Sequence, residues 1–328
     1  MKDLRVTYGG LLYWDRTLAL HDGLVRPEGA EIEYHVHTSA PALFSQQIQE
    51  QTYDVCEMSM GSFLVLLGRG DDRFVGLPLF PSRNFRHGQI YVHAGSAIRR
   101  PADLAGKSVG VLEYQMTAAV WVRGILQDEY GVSAADLRWR TGGLTSPDWS
   151  ERLAWSPPAD VELVRIPAGR FLEEMLACGD LDALVTAQPP QAFDPRGTGP
   201  VRRLFADHRQ VERAYYERTH LFPIMHLVTV RREIYERHPW LGASLMAAFE
   251  ASKALGRQRL RQTTGLAVGL PWLGAELDEL DLLFDGDAFP YGVTENAACI
   301  ETLSRYAFEQ GLTSHAVPVT EMFPAALR

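Results

Sequence analysis

Within nine residues, Phe80-Pro81-Ser82-Arg83-Asn84-Phe85-Arg86-His87-Gly88 gathers two guanidiniums, an imidazole, a hydroxyl and two phenyl rings. An aromatic carboxylate calls for that set: apolar faces for the ring, a planar fork of donors for the anion, and a group that exchanges protons near neutral pH. The same stretch also reads as a solvated loop closed by a glycine turn. Glu113-Tyr114-Gln115-Met116-Thr117 lies between an apolar run and an amphipathic one. Its backbone N–H groups and the Thr117 hydroxyl would open a helix and offer an anion site, although an ordinary helix cap uses the same residues.

Arg16, in Tyr13-Trp14-Asp15-Arg16-Thr17, could fork onto a substrate carboxylate or simply pair with a surface acid. Glu57 sits near the end of the run 53–58, where burying a carboxylate is costly unless it is paired or functional. Alternation places it on one sheet face and Cys56 and Met58 on the other, with Ser59 just beyond. Cys56 reads as core filler. In Phe222-Pro223-Ile224-Met225-His226, the histidine is either a cleft-facing acid or base, or a satisfied core residue. Gly143, Thr186 and Tyr291 complete a candidate rim. His35 and His37 share one strand face, but two ligands without a third do not make a metal site, and none is expected. Glycine-rich nucleotide loops, GxSxG and HExxH are absent.

The elements that must carry these residues alternate between short β-rich runs and helical patterns, which defines an α/β chain with largely parallel sheets. Residues 4–8, 31–37, 53–58, 74–79 and 89–93 read as strands and 42–51 as a helix. The pattern restarts near residue 96 with a helical turn at 101–106, a strand at 107–112, a helix at 117–130 capped by Gly131, a helix at 169–178 stopped by Gly179, and a strand at 181–186. Pro/Gly-rich loops fill 141–160 and 188–200. A polar helix after 204, a strand at 224–230 and helices near 240–262 and 294–310 follow. The expected organisation is a discontinuous lobe of 1–95 plus 205–328, with an inserted lobe of 96–204 and a cleft between them.

The 328 residues are enough for about two domains. The net charge, 32 − 41 = −9, disfavours nucleic acid and anionic membrane surfaces, yet leaves room for a small anion held by local arginines. Cys56, Cys178 and Cys299 are odd in number and far apart, so no disulfide framework is expected. With no cationic leader at the start and no stretch of ~18 apolar residues, a cytoplasmic location and no membrane span are expected.

Taken together, several stretches resemble the 4,5-dihydroxyphthalate decarboxylase family: 54–59, 80–87, 113–118 with Trp121, Arg123 and Gly124, 214–218, 222–226 and 290–292. The resemblance covers nearly the whole chain. It implies a two-lobed type II periplasmic-binding-protein-like fold, with ligand held between the lobes. Departures concentrate in residues 143–158, with Trp149 and Trp155, and in 188–200.

The implied activity is a cofactor-independent decarboxylation of a hydroxylated aromatic dicarboxylate, 4,5-dihydroxyphthalate to protocatechuate. No cofactor is expected, the partner is a small aromatic carboxylate, and a homo-oligomer is left open. On side-chain chemistry and expected position in the cleft, His87 is the first choice of acid and His226 the second. Glu57 is a phenol base or a histidine partner. Arg16, Ser59, Ser82, Arg83, Phe85, Arg86, Tyr114, Gln115, Met116, Thr117, Gly143, Thr186 and Tyr291 are assigned to binding. The competing readings are a solute-binding protein of a transporter, since fold does not settle function, and a decarboxylase of a related arene acid or a menaquinone-pathway enzyme of the same fold.

Overall fold

The computed structural model describes residues 3–147, 151–262 and 264–328. Two sheets organise it. The first holds β1 (Leu4–Leu11), β2 (Ala30–His37), β3 (Val55–Ser59), β4 (Phe74–Arg83) and β11 (Ile224–Arg231), in the order β2-β1-β3-β11-β4. The second holds β5 (Ile90–His93), β6 (Ser108–Val111), β7 (Arg138–Thr141), β8 (Glu162–Arg165), β9 (Ala183–Val185) and β10 (Val201–Arg203), in the order β10-β5-β9-β6-β7-β8. Pairings β1–β2, β1–β3, β6–β7, β6–β9 and β7–β8 are parallel, whereas β11 runs antiparallel between β3 and β4. The returning strand therefore brings its first residues, not its last, to the ligand-facing ends of its parallel neighbours.

One boundary differs from the sequence reading. Strand β5, assigned there to the first lobe, is hydrogen-bonded to β9 and β10 in the second sheet. The chain thus crosses between sheets within residues 84–89, so the arginine- and histidine-bearing segment is itself the crossing.

The helix Thr117–Tyr130 begins and ends as its sequence dictates, with Gly131 taking a left-handed φ of 68° that spares a Cβ clash at the C-cap. It is buried along most of its length, and Trp121 donates from Nε1 to the carbonyl of Ile224 on β11 at 2.9 Å. Core side chains of both sheets, among them Met58, Leu227, Val109 and Val185, join this helix in one continuous cluster. Losing a buried tryptophan of this kind costs about 3–5 kcal/mol.

The helix Met60–Gly68 leaves no periodic signal in the sequence, because MGSFLVLLG is almost wholly apolar and shows no 3.6-residue periodicity. It is enclosed on nearly every side. The helix Leu273–Leu283 and strands β7 and β8 were also not foreseen. Among the described residues, no helix is long and apolar enough to cross a membrane.

Candidate active site

Strand ends from both sheets open onto one cavity of about 680 Å³. Leu11 closes β1, Ser59 closes β3, Ser82 and Arg83 end β4, and Leu112, Glu113, Met116 and Thr117 follow β6. Gly143 follows β7, Thr186 follows β9, and Met225 and His226 open β11. Ligand crevices of open α/β sheets lie at the carboxyl ends of their strands. Here two such ends face each other.

His226 owes its position to an irregular register. It pairs with Ser59 on β3 and Ser82 on β4, with register shifts against β4 on either side of it. Such irregularities re-aim side chains next to functional clefts. Glu57 lies opposite Val228, two residues along β11, so both side chains occupy the same sheet face. The His226 Nδ1 donates to Glu57 Oε1 at 2.6 Å, and its ring meets Phe44 edge-on with centroids 4.8 Å apart.

Glu57 is fully buried and accepts two further hydrogen bonds, from the Leu11 N–H at 2.9 Å and the Tyr13 hydroxyl at 2.5 Å. These donors satisfy the carboxylate and define Nδ1 as the nitrogen that carries a proton, leaving Nε2 as the imidazole's reactive edge. Of the two sequence roles for Glu57, the geometry supports histidine partner: it stands behind His226, not on the cavity wall.

The helices Met60–Gly68 and Thr117–Tyr130 start side by side at the cavity. Thr117 Oγ1 accepts from the Gly61 N–H at 2.9 Å and lies 2.8 Å from Ser59 Oγ, which caps the first helix through the Ser62 N–H. The approach is close enough that a Cβ at Gly61 would stand 2.7 Å from the Gln115 carbonyl oxygen. Two helix N-termini with hydroxyls at their mouths favour negative charge.

Arg83 and Arg86 supply the cations. Arg83 is 8% exposed and Arg86 4%. Arg83 donates to the carbonyls of Phe222 and Pro290, each at 3.1 Å, and to Asn296 Oδ1. Arg86 donates to Gln89 Oε1. All these acceptors are neutral, and among the described residues neither guanidinium is in an ion pair; each also keeps an unpartnered buried Nε. Burial lowers the pKa of both, Arg86 to about 9. The Glu212 carboxylate, which accepts from the Gly88 N–H, partly offsets the burial of Arg86 without bonding to it, and a buried guanidinium with no bonded counter-ion favours an incoming anion.

A third arginine, Arg152, was not foreseen. It is bound twice to Glu113, from its N–H at 2.9 Å and Nη2 at 2.6 Å, and reaches Ser62 Oγ across the cleft at 3.1 Å. This pair is already neutral. The wall formed by Thr38 to Ala42 and Phe44 was missed as well, although Ser39 after β2 carries the same strand-end, helix-cap signal as the other segments. No local signal marks Arg152.

Several expected site residues lie elsewhere. His87, first choice as acid, is enclosed by Tyr130, Phe205 and Tyr215, and neither ring nitrogen has a partner. Burial lowers its pKa to about 4, with Arg218 adding to the shift. It is an apolar filler at the crossing between sheets. Arg16 packs over the rings of Phe289 and Tyr13 at 3.9 and 4.5 Å and bonds to Asp15. Phe85 packs with Phe222, Tyr216 and Phe284. Tyr114 is stacked on Trp155 at 4.5 Å, under Arg123. Gln115 is buried behind the helix start, and Tyr291 lies under the Lys253 ammonium. None of these six lines the cavity; His87, Arg16, Phe85, Tyr114 and Tyr291 are held instead in aromatic or cation–π packing. Ser59, Ser82, Arg83, Arg86, Met116, Thr117, Gly143, Thr186 and His226 do line it. Trp149 lies outside the described residues. Among those described, no cluster of three or more His, Cys, Asp or Glu side chains could hold a metal.

Two sheets facing across a cleft define a protein of the periplasmic-binding-protein-like fold. The periplasmic aliphatic sulphonate binding protein of Escherichia coli matches with a TM-score of 0.56 and 15% identity over 99% of this chain and 98% of that one. A periplasmic sulfonate-binding protein of Methylobacillus flagellatus matches with a TM-score of 0.58 and 14% identity, over 99% and 92%. At such identities these likenesses show the fold alone.

Sequence relatives narrow the class. The chain belongs to the 4,5-dihydroxyphthalate decarboxylase family and is a carboxy-lyase: it is 39% identical to the 4,5-dihydroxyphthalate decarboxylase of Comamonas testosteroni over 96% of this chain and 95% of that one. It is 35% identical to the enzyme of the same name from Pseudomonas putida, over 61% and 77%. No family model matches the chain.

Proposed function

We propose that this carboxy-lyase removes one carboxylate from a hydroxylated aromatic ortho-dicarboxylate, 4,5-dihydroxyphthalate to protocatechuate, with no cofactor. The observation that carries the reading is the pair Arg83 and Arg86: two buried guanidiniums on one cavity wall without a carboxylate partner among the described residues. A dianion supplies the two missing charges, and charge-assisted hydrogen bonds orient it. Ser59, Thr117 and the two helix starts offer a second anion-favouring surface on the same cavity.

The substrate's own hydroxyl serves as the electron sink. His226, protonated on both nitrogens, delivers the Nε2 proton to the ring carbon bearing the departing carboxylate, while the hydroxyl para to that carbon gives up its proton to water, leaving a dienone with a tetrahedral carbon. The C–C bond to the carboxylate then breaks, carbon dioxide leaves, the bonding pair returns to the ring to restore an aromatic phenolate, and the phenolate takes a proton back from water. Glu57 supports the imidazolium before transfer and holds the ring's orientation throughout. Phe44, Met225 and Val185 give the cavity apolar surface for the arene and limit water. A cytoplasmic location belongs to the same proposal, and the three unpaired cysteines suit a reducing compartment.

The test is carbon dioxide release and product analysis with 4,5-dihydroxyphthalate, unsubstituted phthalate and 3,4-dihydroxybenzoate, before and after exhaustive chelation. Turnover of the first alone, undiminished by chelation, supports the proposal. Tight binding of the dicarboxylate without carbon dioxide release would instead indicate a solute-binding role. Activity lost on chelation and restored by a metal would sink the cofactor-independent mechanism.

A further inference from the structure

We propose that Tyr13 is a positioning residue for this reaction, setting the proton affinity of His226 through Glu57. The inference rests on the reading of His226 as proton donor and extends it to a residue that does not touch the cavity.

Tyr13 Oη and His226 Nδ1 both donate to the same atom, Glu57 Oε1, at 2.5 and 2.6 Å. The two donors share one oxygen's electron density, so a phenol that donates strongly weakens that oxygen's support of the imidazolium. Tyr13 is itself firmly held. Its carbonyl accepts from the N–H groups of Arg16, Thr17 and Leu18, its N–H donates to Thr17 Oγ1 at 2.9 Å, and the Arg16 guanidinium packs on its ring. The turn after β1 thus delivers one hydroxyl to one carboxylate oxygen.

The surroundings isolate this effect. Tyr8 of β1 and Tyr34 of β2 lie near Glu57, and Cys56 precedes it on the opposite face of β3; burial raises the pKa of all three, so each stays neutral. Tyr13 is raised in the same way, by burial first and by Glu57 next. Ser82 of β4 hydrogen-bonds Tyr13, Arg16 is the cation that faces it, and Phe44 covers His226 from the helix Ala40–Glu50. Arg83 and Arg86 stand on the cavity wall that His226 shares. Among the described residues, Glu57 is the one carboxylate bonded to the imidazole.

Tyr13→Phe keeps the ring and removes only the hydroxyl. The remaining oxygen becomes a better acceptor for Nδ1–H, so the His226 titration followed by imidazole NMR in the substrate-free protein moves up by about half a unit or more. With 4,5-dihydroxyphthalate, kcat falls by about tenfold while KM stays within about twofold, and the alkaline limb of the kcat profile moves up with the NMR value. Placing 3-fluorotyrosine at position 13, a stronger donor in nearly the same space, moves the titration down and covers the case of a Phe variant that does not fold. Tyr34→Phe removes a neighbouring hydroxyl bonded to Leu11 O and Thr17 Oγ1 and leaves the titration in place. An unmoved His226 titration in either position-13 protein overturns the proposal, as does an equal shift in Tyr34→Phe. The titration needs no substrate, so inactivity towards 4,5-dihydroxyphthalate would count against the substrate assignment and leave this test standing.

Discussion

His226 and Glu57 are 169 residues apart in the chain and 2.6 Å apart in the fold, joined by the antiparallel return of β11 beside β3. The contact fixes the orientation of a half-buried imidazole on the cavity wall. It also gives a fully buried carboxylate one of the hydrogen-bond donors that offset the cost of its burial.

Glu57→Gln keeps the shape of the pair and removes its charge. The imidazolium loses its supporting anion, so the alkaline limb of kcat moves to lower pH. A kcat loss of about 10²–10⁴-fold is expected, with KM little changed. A pH–rate profile indistinguishable from the parent protein's would remove Glu57 from the mechanism.

Arg86→Met replaces a buried, unpaired cation with an apolar chain of similar reach. The ligand-free protein should be as stable as the parent or more stable, by about 1–3 kcal/mol, because no desolvated charge remains. Binding should suffer in the opposite sense, with KM up by about 10–100-fold, the range set by a lost charge-assisted hydrogen bond. Thermal melts with and without the dicarboxylate check both halves: the ligand-induced rise in Tm should shrink in the variant.

His87→Phe should retain turnover, since the ring lies among Tyr130, Phe205 and Tyr215 and makes no hydrogen bond. Its folded pKa of about 4 lies below the ordinary histidine value. The unfolded chain therefore takes up a proton that the fold refuses as pH drops from about 6.5 to about 4, and about 3 kcal/mol of stability is lost over that window. Urea unfolding at pH 7 and pH 4.5 should show a smaller acid penalty in the Phe variant. Loss of turnover in a folded His87→Phe protein would return this residue to the mechanism.

Gly61→Ala puts a methyl group 2.7 Å from the backbone oxygen of Gln115 and 3.2 Å from Thr117 Oγ1. Neither is the free end of a flexible side chain, so the two helix starts must separate. Destabilisation of about 1–3 kcal/mol by denaturant titration is expected. A fall in kcat/KM should accompany it, because the hydroxyls at the cavity are displaced together.

Legibility in the sequence followed the range of the interactions. The helix Thr117–Tyr130 and its glycine cap were readable because local spacing and one residue type determine them. Helix Met60–Gly68 was not, since an all-buried segment has no polar face to reveal its period. Of the segment 80–88, chemistry suggested five side chains for the site, and the fold sent Phe85 and His87 into aromatic packing while leaving Ser82, Arg83 and Arg86 on the cavity wall. A crossing between sheets follows neither strand nor helix periodicity, so its residue types gave no indication of which way each would point.

The sequence by itself determined that this is an α/β chain with two lobes, that polar and basic side chains gather at its strand ends, and through its motifs that it belongs with the dihydroxyphthalate decarboxylases. Those properties reside in local patterning and composition. Only the tertiary structure decided that His226 rather than His87 faces the cavity, that Glu57 stands behind it with Tyr13, and that Arg152 is neutralised while Arg83 and Arg86 are not. Each of these depends on a contact between elements far apart in the chain, where burial and the identity of the partner, not the residue type, set the charge and the role.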